Sequence, residues 1–151
     1  MNHEVETQWM GKMQFNALVN GHTMVMDAPE RAGGEDHGPI PKPLLLTALS
    51  GCTGMDVVAL LRKQGKMLTY FNVKVTGELT KQAPIAYSAI HILYELKGSE
   101  ADQEAALEVV QRSQHEICGV SYMLKKALPV TWEVQFNNQT IFNNQAVAET
   151  A

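Results

Sequence analysis

The stretch Pro39–Gly65, PIPKPLLLTALSGCTGMDVVALLRKQG, decides the reading of this chain. Pro39, Pro41 and Pro43 lead in, and no proline or turn cluster interrupts Leu44–Gln64. Gly65 stands where a helix C-cap belongs. Leu44, Leu45, Leu46, Leu49, Met55, Val57, Val58, Leu60 and Leu61 place apolar residues on nearly every side, so one long buried helix is expected. At about 1.5 Å per residue it spans roughly 30 Å, the width of a small domain. Cys52 sits near its centre.

Outward from this helix, composition sets bounds. The 151 residues are 45% hydrophobic and 19% charged, enough apolar material for one domain with a true core. The net charge of −4 and scattered lysines argue against a nucleic-acid partner, which needs a basic patch. Residues 1–20 hold Glu4, Glu6 and Lys12 and lack the apolar core of a signal peptide. The run Leu44–Leu61 carries Asp56 and small polar residues, and reads as short of a membrane span. A cytoplasmic protein is expected. The two cysteines, Cys52 and Cys118, lie 66 positions apart without a CxxC, and the five histidines show no metal-ligand spacing. No zinc-ribbon or thioredoxin motif is therefore present, and no metal is expected from these residues.

Before the helix, Val5–Met10, Met13–Val19 and His22–Asp27 read as strands, the last two joined at Asn20-Gly21, a strong hairpin signal. Ala28–Lys42 is a loop rich in proline, glycine and acid. After the helix, Tyr70–Leu79 and Ile85–Leu96 alternate as strands, with Ile90, Ile92, Tyr94 and Leu96 on the greasier face. Ser99 is the expected N-cap of a helix running to about His115, with Glu100 and Asp102 in its first turn. Val120–Ala127 reads as a short third helix, Val130–Phe136 as a last strand, and Asn137–Ala151 as a polar tail of low packing potential. The order is that of an α+β protein with antiparallel hairpins, a single domain over residues 1–136 and a tail over 137–151.

Two motifs carry a resemblance. Pro41–Asp56 follows P-x-x-L-L-x-x-A-L-x-G-C-T-x-M-D, and the later stretch ends in His115–Leu124, HEICGVSYML. Together, in this order, they resemble the osmotically inducible protein C / organic hydroperoxide resistance (OsmC/Ohr) family, over roughly Glu4 to Phe136. The resemblance implies an intertwined homodimer in which long cysteine-bearing helices pack against antiparallel sheets. It also implies a thiol peroxidase acting on organic hydroperoxides. Cys52 becomes a sulfenic acid, Cys118 condenses with it to a disulfide, and a dithiol reductant reopens the bond. No metal, organic cofactor, nucleic acid or membrane enters this picture.

A free cysteine titrates at about 8.5, and the thiolate is the nucleophile, so the site needs a cation. The family pattern supplies an arginine from the N-terminal hairpin and a glutamate before the signature helix. This chain has Lys42 at the glutamate position and LVNGHTM (18–24) at the hairpin, without arginine. Its three arginines are Arg31, Arg62 and Arg112. Arg62 is ten residues past Cys52, about 15 Å along the helix. The candidate electrostatic partners are therefore Lys42, Arg31 and, beside Cys118, His115. Cys118 is expected at a helix N-terminus, where the dipole favours a thiolate. Gly119 follows it where the family usually has proline. Asp56, one turn from Cys52, opposes thiolate formation unless it is paired, and a structural partner is expected for it. His91 reads as a satisfied core or interface histidine. The departures keep an alternative open: a weak or inactive family member that senses redox state or binds an apolar ligand. A third reading is a different thiol chemistry on the same scaffold.

Overall fold

A computed structural model describes residues 1–145. The chain forms two compact units, Met1–Leu45 and the remainder from Leu46, with the division in the first turn of the long helix.

The first unit is an antiparallel meander of β1 (Val5–Gly11), β2 (Gln14–Val19) and β3 (His22–Met26). Asn20 and Gly21 take φ of 48° and 80°, the left-handed pair that a two-residue hairpin needs. Asp27 then organises the following loop. Its carboxylate accepts from the backbone N–H groups of Ala28 at 2.8 Å and of Glu35 and His37 at 3.1 Å each. A single 3₁₀ turn, Glu30–Ala32, carries Arg31.

In the second unit the long helix α1 (Leu44–Lys63) leads to β4 (Leu68–Leu79) and β5 (Tyr87–Gly98). A 3₁₀ turn over Glu100–Asp102 opens α2 (Gln103–Arg112), followed by a π-helical turn (Ser113–Ile117), α3 (Gly119–Lys125), β6 (Val130–Phe136) and β7 (Gln139–Asn143). The sheet order is β4-β5-β6-β7. Alternation along β5 and β6 puts Ile90, Ile92, Tyr94, Leu96, Trp132, Val134 and Phe136 on one buried face. The helices bury Leu49, Val57 and Leu61 of α1 and Ala106, Val109 and Val110 of α2 in the same core. Each such large side chain contributes about 1.5–3 kcal/mol on burial.

Four expectations change. The sheet is not wholly antiparallel: β5 and β6 run parallel, with Tyr94 opposite Val134. The segment between them is a crossover, which parallel pairing requires. The second helix does not run from Ser99 to His115. Ser99 makes no side-chain capping bond, and the regular helix ends at Arg112 in the π turn. The polar segment after Phe136 does not stay unpaired, because Asn137 and Asn138, with φ of 48° and 67°, turn the chain so that β7 pairs with β6. Residues 146–151 of the expected tail lie outside the described residues. Finally, α1 is buried along only one stripe, Leu49, Thr53, Val57 and Leu61, while Met55 is 75% exposed. By length and composition alone α1 could cross a bilayer, but its buried stripe belongs to the sheet core, and it is no clear membrane span.

Candidate functional site

Cys52 and Asp56 are successive-turn neighbours on α1, both half-buried. Cys118 arrives from the crossover. The π turn fits one more residue into its circuit than an α-helix would, and its last hydrogen bond runs from Cys118 N–H to Ser113 C=O at 2.9 Å. Cys118 then leaves helical geometry (φ −67°, ψ 104°) and caps α3, its Sγ accepting from Ser121 N–H at 3.4 Å. The result brings Cys52 Sγ, Cys118 Sγ and a carboxylate oxygen of Asp56 all within 4.8 Å of one another.

Behind this cluster lies a buried polar network that the sequence reading missed. Thr53 Oγ1 bonds to Tyr94 Oη at 2.6 Å and to Ser113 Oγ at 2.8 Å. Ser113 Oγ donates to Asp56 Oδ2 at 2.9 Å, which is the structural partner expected for that carboxylate. Gln114 Nε2 donates to Tyr94 Oη at 2.6 Å, and Ser121 Oγ donates to Gln114 Oε1 at 2.7 Å. Burial pushes the Tyr94 phenol well up, against the pull of Thr53 and Gln114, so it stays neutral. The available signal was Thr53 itself, a hydroxyl at the fully buried position of an otherwise aliphatic stripe, where a partner is obligatory.

Electrostatics correct one expectation. Cys118 does occupy a helix N-terminus, but it is only 3% exposed, and burial pushes its thiol up to about 11. The Ser121 amide pulls the other way. The hydrogen bond with Cys52, and the charges of Cys52 and Asp56, push it further up. Desolvation therefore outweighs the end of a seven-residue helix, and Cys118 carries its proton at neutral pH.

Of the candidate electrostatic partners, His115 lies in the same unit as the two cysteines and shares a cleft with Cys118. Arg31 and Lys42 belong to the first unit, and His115 packs its ring edge-on to Trp132, with centroids 5.3 Å apart. Lys125 donates to the Gln114 carbonyl at 2.6 Å and lies 4.6 Å from the Trp132 ring. A cleft of about 480 Å³ lined by His115, Cys118, Tyr122, Lys125 and Lys126 opens at this place. His91 is satisfied as expected, its Nδ1 lying 2.8 Å from Thr131 Oγ1.

Comparison with known proteins places the fold. Protein YhfA of Escherichia coli strain K12 is 28% identical over 129 residues, covering 85% of this chain and 93% of that protein. A hypothetical protein from Aquifex aeolicus VF5 has a crystal structure that superposes with a TM-score of 0.75 at 25% identity, covering 91% of this chain and 98% of that one. The organic hydroperoxide resistance protein OsmC of Legionella pneumophila shares the fold, with a TM-score of 0.65 at 15% identity over 89% and 97% of the two chains. Residues 33–133, including both cysteines and the whole crossover, match the OsmC-like protein family, and the chain belongs to it.

Proposed function

We propose that this chain reduces organic hydroperoxides, with Cys52 as the attacking sulfur and Cys118 as the resolving one. The observation that carries the reading is the meeting of both sulfurs within 4.8 Å on a scaffold shared with hydroperoxide resistance proteins. The Cys52 thiolate attacks the terminal peroxide oxygen. The O–O bond breaks, Cys52 becomes a sulfenic acid, and the alkoxide takes the proton that Cys118 holds. The Cys118 thiolate then attacks the Cys52 sulfur. Hydroxide leaves and is protonated by solvent, and a disulfide remains for a dithiol reductant to reopen. The resemblance assigns the activating charge to Lys42 or Arg31, and the working form to a homodimer.

One observation favours a second reading. Burial first, and then the charge of Asp56 within the cluster, push the Cys118 thiol up, as befits a catalytically weak family member that senses redox state or binds an apolar ligand. The deciding experiment follows the oxidation of Cys52 by cumene hydroperoxide and by hydrogen peroxide, with chelator present, in wild type and Cys118→Ala. Fast oxidation that prefers the organic peroxide, with a disulfide in wild type alone, supports the peroxidase. A rate no better than that of a free thiol sinks it and leaves the second reading.

A further inference from the structure

We infer that Cys52, Asp56 and Cys118 form a binding site for a thiophilic divalent cation of the zinc class, with two thiolates and one carboxylate as ligands. A tetrahedral zinc site has Zn–S of about 2.3 Å and Zn–O of about 2.0–2.2 Å, which sets its donor atoms about 3.5–3.8 Å apart. The three donors here already lie within 4.8 Å of one another, so small side-chain rotations close the set. Two soft sulfurs with one carboxylate select zinc over magnesium or calcium.

The ligands are also oriented from behind. Ser113 Oγ donates to Asp56 Oδ2 at 2.9 Å, leaving Oδ1 for a metal. The Ser121 amide donates to Cys118 Sγ at 3.4 Å. Partners of this kind fix ligand geometry in metal sites. On binding, each thiol gives its proton to solvent, and the cation neutralises charge that the cluster otherwise sets against itself. Cys52 and Asp56 are half-buried, so a fourth position faces outward and accepts water or a small ligand. The inference does not depend on the peroxidase reading, although the two compete for the same sulfurs. A bound cation protects Cys52 from peroxide, and the Cys52–Cys118 disulfide abolishes the site.

The test uses reduced protein without peroxide under anaerobic conditions. Zn²⁺ affinity is measured by competition with a chromogenic chelator, and Co²⁺ is added separately to look for thiolate-to-cobalt charge transfer. Wild type should bind one ion per chain and show the charge-transfer band. Asp56→Asn keeps an acceptor for Ser113 and should bind at least tenfold more weakly. Cys52→Ser, on the half-exposed side of the cluster, should lose the band's intensity and most of the affinity, and guards against a folding defect in the first variant. Equal affinity in wild type and Asp56→Asn, absence of the band, or undiminished binding by the disulfide form would each overturn the site. Failure of the chelator-treated protein to reduce peroxides, with metal binding intact, would count against the peroxidase alone.

Discussion

Thr53 shows how one side chain couples the core to the site. Its hydroxyl joins Tyr94 on β5 to Ser113 in the π turn, and Ser113 in turn holds Asp56. Thr53→Val keeps the volume and removes the hydroxyl, leaving Tyr94 to Gln114 and Ser113 to Asp56. Because a buried group loses a bond without regaining water, the variant should unfold about 1–2 kcal/mol more easily. An unchanged urea midpoint would show that the network contributes nothing in solution. A second residue-scale prediction concerns pH. Burial pushes the Asp27 carboxyl up, but the N–H donors of His37, Ala28 and Glu35 and the nearby His37 ring outweigh it and hold it below its ordinary value of 3.8. A depressed native pKa gives stability that is fully present above the unfolded value and is lost as pH falls through the native one. Denaturant midpoints measured from neutral pH to below about 3 should therefore drop at the acid end. Asp27→Asn should lower the midpoint at neutral pH and flatten that acid drop. Parallel curves for the two proteins would refute the assignment.

At the scale of elements, the loop after β3 depends on a missing side chain. A Cβ on Gly34 would lie 1.9 Å from the Ala28 carbonyl oxygen and 2.5 Å from its carbon, both of them backbone atoms. Gly34→Ala should cost about 1–3 kcal/mol, because the loop that Asp27 holds must shift. The same change at Gly119, the first residue of α3, meets nothing within 4 Å and should gain up to about 1 kcal/mol. Opposite signs in paired denaturation curves are the expected result, and like signs would refute the contrast. Sequence made these elements unequally legible. Helix α1 is encoded by an uninterrupted apolar run, the Asn20-Gly21 hairpin by its turn pair, and the buried faces of β5 and β6 by alternation. Pairing direction is not encoded locally, so β5 with β6 emerged only from the fold. The π turn has no residue signature of its own; what holds it is the demand of Ser113 and Gln114 for buried partners in other elements. Asn137-Asn138 is a legible turn signal that low tail hydropathy obscured. The two cysteines were found through their motifs, and the third member of their cluster, Asp56, through its helical spacing from Cys52. The raised thiol of Cys118 was not legible, since only folding reveals its burial.

For the whole molecule, the second unit leaves an unfinished surface. Met55 is 75% and Val58 39% exposed on α1, beside an open hollow of about 430 Å³ lined further by Gly51, Gly54, Phe71 and Val73. Contiguous apolar surface of this kind marks an interface in proteins that dissolve well. The proposed homodimer supplies a second copy as its occupant. In a two-fold interface any substitution enters twice, and stable pairs bury more than about 1,000 Å². Met55→Glu tests this at little risk to the single chain, where an exposed position tolerates change within about 0.5 kcal/mol. Across a dimer, the two glutamates would lose water without gaining a partner, at a cost of several kcal/mol. Sedimentation equilibrium should give the mass of two chains for wild type and of one for Met55→Glu, with the same far-ultraviolet circular dichroism. A wild type that remains a monomer at high concentration would remove the homodimer, and a variant that still pairs would move the interface away from this face of α1.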